Sequence, residues 1–375
     1  MPHSLSVPCC FMRGGTSKGP FFNQADLPPA GPERDRLLLA IMGSPDARQI
    51  DGLGGGHALT SKVGMVALGD RAKTGIDLHF LFAQLQPNSD RVDTTPNCGN
   101  MLAAVVPFAL ETGLIQAQGD TTTVRVLTEN TGMLSDITVH TPGGRISYEG
   151  DTRIDGVPGS SAAIEISFLD TAGSVCGSLL PTGQAIDVFE VAGLGQVEAT
   201  CIDNGMPMVL VRAADFGCDG QETVAELNAD EVLKARLEAL RLVAAAKMGL
   251  GDVGPKNFPK MCLLSAPKAG GALSTRCFIP HVCHEAIGVL AAVTVATACV
   301  LPQSIAAGLS QHAPAEDGRA ALSIEHPSGE FSVVLQLASD EAGGPKVVGA
   351  ALLRTARLIM QGSVRVLASR LAAKN

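Results

Sequence analysis

A cysteine, two lysines and a set of glycine-rich loops carry the chemistry open to this chain. Asn97-Cys98-Gly99-Asn100 stands directly before the apolar run Met101 to Leu110. A cysteine at a helix entrance meets unpaired backbone amides and the positive end of the helix dipole, a setting that favours a thiolate and binds a carboxylate. Thr16-Ser17-Lys18 follows Arg13-Gly14-Gly15, and Thr60-Ser61-Lys62 follows Asp51-Gly52-Leu53-Gly54-Gly55-Gly56. Glycines there let the backbone approach a ligand closely. A lysine beside such a loop is either a solvated ammonium or, when desolvated or set near another cation, a group able to act as a general base. The bland reading is stronger for Lys18 than for Lys62. Together these residues predict proton transfer on an acidic substrate.

The elements that must position them follow from the hydrophobic pattern. Leu5 to Phe11 reads as a strand leading into the first glycine turn, and Glu33 to Met42 as a short helix stopped at Gly43. After the helix at Cys98 come short β-rich runs: Thr123 to Leu127, Ile137 to His140, Arg145 to Tyr148 beyond the Pro142-Gly143-Gly144 turn, and Ala163 to Phe168. From about Val188 the pattern begins again, with Val197 to Ile202, the turn Asp203-Asn204-Gly205-Met206-Pro207 and a strand from Met208. The longest helix is predicted over Asn228 to Met248, with Leu233, Leu237 and Leu240 on one face and Asn228 and Glu231 as a capping box. Cys283 precedes a second apolar helix, Ala286 to Leu301, about half a chain length after Cys98. Two similar halves are expected, with closing strands around Phe331 to Leu337, Lys346 to Leu353 and Val364 to Leu367.

Composition excludes several functions. With 375 residues, a net charge of −9 and no block of Lys and Arg, nucleic acid is not an expected partner. No apolar run of ~20 residues marks a membrane span, and the start, Met1-Pro2-His3-Ser4, lacks the basic and apolar regions of a secretory signal. A soluble, cytoplasmic protein is expected. The ten cysteines form no C-x-x-C pair or repeating framework, which suits reduced thiols, most of them small core residues.

Tempting motifs fail on order or spacing. In Gly54 to Lys62 the Thr and Ser precede the lysine, the reverse of a phosphate loop. Ser265-Ala266-Pro267-Lys268 and Lys73-Thr74-Gly75 match S-x-x-K and K-T-G in the wrong order. His281, Cys283 and His284 lack a second ligand cluster, so no metal is expected, and no dinucleotide fingerprint follows the first strand, so no redox cofactor is.

These stretches resemble one family throughout the chain: the 2-methylaconitate cis-trans isomerases and 4-oxalomesaconate tautomerases, built on the diaminopimelate epimerase fold. The likeness rests on Arg13-Gly14-Gly15-Thr16-Ser17-Lys18-Gly19, Met42-Gly43-Ser44-Pro45-Asp46, Asp51-Gly52-Leu53-Gly54-Gly55, Thr60-Ser61-Lys62-Val63, Asn97-Cys98-Gly99-Asn100 and Asp203-Asn204-Gly205-Met206-Pro207. Asp151 to Gly159, Lys260 to Pro267 and Glu325 to Phe331 look most like the 4-oxalomesaconate branch.

The resemblance implies an α+β fold of two pseudo-symmetric domains, each a β-barrel-like sheet wrapped around a central helix, with the active site in the cleft between them. Domain bounds of 1–186, completed by about 363–375, and 187–362 are expected. Catalytic roles carry over to Lys62 and Cys98; Cys283 lacks the glycine-rich loop that holds the second cysteine of the epimerases, which makes Lys62 the better proton partner. Arg13, Gly14, Gly15, Thr16, Ser17, Lys18, Gly54, Gly55, Ser61, Asn97, Gly99, Asn100, Asn204, Lys260, Arg276 and His284 are the expected substrate contacts. The implied activity is cofactor-independent isomerisation of an unsaturated tricarboxylate, most like 4-oxalomesaconate from gallate or protocatechuate. 2-Methylaconitate isomerisation and non-catalytic carboxylate binding are the alternatives, with amino-acid epimerisation, which would need Cys283 as much as Cys98, the weaker fourth, and a homodimer is the candidate assembly.

Overall fold

A computed structural model describes residues 4–169, 171–312, 318–339 and 345–371; Met1 to His3 and the end of the expected closing segment, 372–375, lie outside the described residues. The chain divides into two compact units, Met1–Leu169 with Leu353–Asn375, and Asp170–Leu352. The first contains β1 (Ser4–Gly14), β2 (Ser17–Asn23), α1 (Pro32–Met42), β3 (Lys62–Leu68), α2 (Arg71–Thr74), β4 (Leu78–Leu85), β5 (Val92–Asp93), α3 (Gly99–Leu102), α4 (Val105–Glu111), β6 (Thr121–Thr128), β7 (Met133–His140) and β8 (Ile164–Phe168). The second contains β9 (Asp187–Val191), β10 (Gly195–Asp203), β11 (Pro207–Arg212), α5 (Val224–Ala229), α6 (Glu231–Lys247), β12 (Lys260–Ser265), β13 (Leu273–Phe278), α7 (Val289–Val300), α8 (Ile305–Leu309), β14 (Arg319–His326), β15 (Gly329–Ser339) and β16 (Pro345–Arg354). The chain then returns to the first unit with β17 (Ala356–Leu367) and α9 (Ala368–Leu371).

The two units repeat one topology. In the first, the strand order is β17, β1, β2, β3, β4, β6, β7, β8; β2–β3 and β4–β6 are parallel and every other neighbour pair is antiparallel. In the second, β9 to β16 lie in sequence order with β11–β12 and β13–β14 parallel, the same pattern strand for strand. A parallel pair needs a long crossover, and in each unit the second crossover carries the buried helix. Lys62 and Lys260 are both the first residue of the strand that opens with the first parallel pairing of its unit.

Each sheet folds around its helix. α3 touches β1, β2 and β3 while α4 touches β3, β7 and β17, strands spread across the whole sheet. Phe108 of α4 sits 5.9 Å from the Phe21 ring, which stacks on Phe80 at 6.5 Å, so the helix is fastened by an aromatic column. α7 is buried from Ala291 to Cys299, as expected for a helix apolar on all sides. Its threonines face a backbone turn: Thr294 Oγ1 donates to Asn204 O and Met206 O.

Four expectations are corrected. The unit boundary falls after Leu169 and not at 186, because the segment beyond it bonds into the second unit: Gly173 N donates to Asp203 O, Asp203 N to Leu179 O, and Val175 N and Cys176 N to Asp203 Oδ2. At the other end it falls at Leu353, since the whole of β17, and not its last turn alone, pairs with β1. Arg145 to Tyr148 is not a strand; Gly143 and Gly144 both take positive φ and turn the chain away, leaving only isolated bonds such as Ser147 N to His140 O. The helix expected from Asn228 begins at Glu231, capped by Asp230 accepting from Leu233 N, while the capping box belongs to Thr223 and Glu226 one helix earlier. Asn228 instead accepts from Cys283 N.

Candidate active site

Lys62 enters β3 with its side chain directed at β4. It is 8% exposed; Nζ donates to Gln84 Oε1 and lies 5.1 Å from the centroid of the Phe82 ring. No carboxylate pairs with it among the described residues. Before it, Ser61 is fully buried, its Oγ 2.7 Å from Gln49 Oε1 and 2.8 Å from His57 O. Gln49 is a buried residue in the left-handed region, φ 49°, whose amide also accepts from Gly56 N and donates to Ser44 Oγ. The glycines of this loop serve that packing: a Cβ on Gly54 would sit 2.1 Å from Gln49 Oε1, and one on Gly55 2.6 Å from Thr60 Oγ1. Close approach is thus required, by the protein's own side chains.

Cys98 is the N-cap of α3, half-buried, and its carbonyl accepts from Leu102 N, closing the first helical turn. Asn97 Nδ2 donates to Thr131 Oγ1 at 2.7 Å, and Asn100 Nδ2 to Thr16 Oγ1 at 2.9 Å. The β1–β2 turn is pressed onto this helix start, with Cβ atoms on Gly14 and Gly15 falling within 2.3 Å of Asn100 atoms. Lys62 is tied to the same strand, because Gly19 of β2 lies against Lys62 O. Gly19 is two residues, about 7 Å, beyond Ser17 at the turn. One strand end therefore meets both Asn100, in the first turn of α3, and Lys62, the residue that begins β3.

Ser17 within that turn is 1% exposed, and its hydroxyl has no hydrogen-bond partner among the described residues. Lys18 points to the opposite, exposed face of β2. Arg13 Nη1 donates to Gly15 O and to Thr355 O and Oγ1, and Nη2 to Ser161 Oγ, so its guanidinium closes the turn against the returning chain. Burial, with Arg357 nearby, lowers its pKa.

The other predicted residues gather in the second unit. Asn204 Oδ1 accepts from Thr171 Oγ1 and its Nδ2 donates to Thr297 Oγ1, which locks its turn to α7. Arg276 Nε donates to Glu222 O and Nη1 to Thr275 O. Lys260 Nζ lies 3.4 Å from where a Cβ on Gly288 would stand, at the start of α7. His284 Nδ1 accepts from Ala286 N, and burial, with Lys260 beside it, holds its imidazole below the ordinary value and so neutral at pH 7. Cys283 is buried and its thiol is pushed up to about 11, chiefly by burial. Seven of the ten free cysteines are buried, while Cys98 is one of three that are not.

Three supporting residues escape a reading of the sequence. Gln84 and Phe82 meet Lys62 from β4. Asn130 exchanges bonds with Phe82 N and O and donates to Thr94 O, fixing the strand below Lys62 and the approach to Cys98 together. A polar Gln inside the apolar strand Leu78–Leu85 is the one local signal among them.

The family model described as PrpF protein matches residues 4–367. The chain belongs to the PrpF family. It is 53% identical over 358 residues, covering 96% of this chain and 95% of the relative, to 4-oxalomesaconate tautomerase of Pseudomonas putida. To (4E)-oxalomesaconate Delta-isomerase of Novosphingobium sp. it is 53% identical over 96% of this chain and 98% of that one. A 2-methyl-aconitate isomerase of Shewanella oneidensis is 36% identical over 97% and 98% of the two chains. The crystal structure of a methylitaconate-delta-isomerase superposes with a TM-score of 0.84 at 32% identity, covering 99% of this PrpF-family chain and 98% of its own.

Proposed function

We propose that this chain is a cofactor-independent isomerase that moves a proton within 4-oxalomesaconate, an unsaturated tricarboxylate. Lys62 is the observation that carries the reading: a side chain 8% exposed, with an amide oxygen and an aromatic face for company and no acidic partner among the described residues. With no carboxylate among the described residues beside it to hold its proton, the amine is placed to serve as a base toward a substrate C–H. Ser17 adds a buried hydroxyl without a partner among the described residues, the kind of donor a bound carboxylate satisfies. The two relatives at 53% identity support the choice of substrate.

The chemistry needs only acid and base. The C–H beside the keto group and the alkene is acidic because the electron pair it leaves behind spreads over the carbonyl as a dienolate. In the proposed cycle Lys62 Nζ takes that proton, and the Cys98 thiol, or a water beside it, returns one at the far carbon or at oxygen. The proton on Lys62 then restores the thiol, so protons and electrons balance. We place the reaction in the cytoplasm, in the breakdown of gallate and protocatechuate.

Proton NMR and ultraviolet absorbance in D2O with 4-oxalomesaconate test this directly. Isomerisation with deuterium incorporation is expected from the wild type and absent from Lys62→Ala, with Cys98→Ala strongly impaired. Turnover of 2-methylaconitate instead would move the assignment to that substrate, and inertness toward both would leave carboxylate binding without catalysis.

A further inference from the structure

Gln84 stands directly across the β3–β4 ladder from Lys62 and supplies the oxygen that Nζ meets. We infer that Gln84 is the positioning residue of the base: it holds Lys62 through one N–H and, with Phe82 on a second side, leaves the remaining face of the amine to substrate. The inference rests on the reading of Lys62 as that base.

The orientation of the Gln84 amide is decided by its surroundings. The two Nε2 hydrogens are shared among three carbonyls, Ala58 O at 3.1 Å, Ser61 O at 3.1 Å and Leu85 O at 2.9 Å. A half-turn of the amide would set its oxygen against those three oxygens and its NH2 against Lys62, so Oε1 is the atom facing Nζ. An acceptor of this kind takes one hydrogen from the nitrogen whether or not the amine is protonated. The lone pair left when a proton departs therefore points away from Gln84. Phe82 closes a second side of the amine.

Neutrality is the other half of the argument. A carboxylate at position 84 would pair with the ammonium and hold its proton, whereas an amide orients the group without doing so. Because Nε2 also bonds Ser61 O, one side chain locates both the main chain entering Lys62 and the amine at its end. The titratable side chains on elements packed against β3 are Lys18, His79, Asp26 and Glu111, with Cys98 capping α3. None of them bonds Lys62 among the described contacts; His79 pairs with Glu129, and Glu111 accepts from Tyr148.

The test compares kcat, KM and pH profiles of wild type, Lys62→Ala, Gln84→Met and Gln84→Glu on 4-oxalomesaconate or 2-methylaconitate, whichever the wild type turns over, with thermal unfolding of each. Gln84→Met keeps length but removes the acceptor; kcat should fall about tenfold or more with KM within about twofold. Gln84→Glu should move the rising limb of the profile toward higher pH by about one unit or more. Variants that lose only thermal stability, keeping kcat per folded enzyme and the wild-type profile, would overturn the inference while Lys62→Ala stays inactive. Activity retained in Lys62→Ala, or an inert wild type, would instead overturn the reading beneath it.

Discussion

Gly19→Ala tests whether the β2–β3 contact sets the position of Lys62. A Cβ at residue 19 would lie 1.9 Å from Lys62 O and 2.9 Å from Lys62 C, against an ordinary contact of 3.4 Å or more. Both targets are backbone atoms in a parallel ladder, so no rotamer change relieves the clash. The strands must part by roughly 1.5 Å, carrying the entry of β3 with them. Overpacking of this kind costs about 1–3 kcal/mol, and with an unyielding partner the upper end is expected. A displacement of about 1 Å in a catalytic group can cost about 100-fold in rate, so with Lys62 as the proposed base kcat should drop at least that far. Steady-state kinetics and urea unfolding of the same preparations measure both. Gly362→Ala is the control, because a Cβ there meets nothing within 4 Å. Wild-type kcat with undiminished stability in Gly19→Ala would refute the reasoning, since the ladder would then have room the structure denies.

Two further perturbations address the supports around the site. Gln49→Ala removes the bonds to Ser44, Gly56 and Ser61 and leaves alanine at φ 49°; a loss of about 2–3 kcal/mol in urea unfolding is expected, with a fall in kcat because Ser61 precedes Lys62. Glu325 accepts the amides of Lys268, Ala269 and Gly271 at 2.7–2.9 Å. Burial alone would raise its pKa, yet those amides with Arg276 together hold it below 4.5. The folded state therefore binds that proton less readily than the unfolded chain, and the stabilisation, present above pH 4.5, is lost as pH falls through the folded value. Urea midpoints across pH 3 to 7 should show Glu325→Gln about 2 kcal/mol weaker at pH 7, with a flatter acid decline; equal slopes would reject the assignment.

Elements with strong period or punctuation are legible in the sequence alone. The helix ending at Gly43 stops there because Gly43 takes φ 79° and returns its N–H to Leu39 O. The run after Cys283 is one buried helix, as its unbroken apolar text requires. Local text misleads where it is compatible with two outcomes. Arg145 to Tyr148 has strand-forming residues but makes only isolated bonds, such as Ser147 N to His140 O, since Gly143 and Gly144 turn it out of the ladder. Asn228 with Glu231 fits a capping box by spacing, yet Asp230 caps the helix and Asn228 serves Cys283 N across the fold.

The candidate site divides along the same line. Cys98 and Lys62 are readable from the sequence because a thiol before an apolar helix and a lysine after a glycine loop are local signals, and the chain-long motifs locate the family. What each glycine accommodates is not: Gly14 and Gly15 meet Asn100, Gly54 meets Gln49, and Gly19 meets the backbone of Lys62, contacts between separate segments of the chain. Arg13, free to face a carboxylate as far as sequence can tell, is bonded to Thr355 from the opposite end of the chain. Gln84 carries no comparable signal because its role depends on which residue stands opposite it. Strand register is set by the pairing of whole elements, and no stretch of sequence around residue 84 states that Lys62 will be its partner.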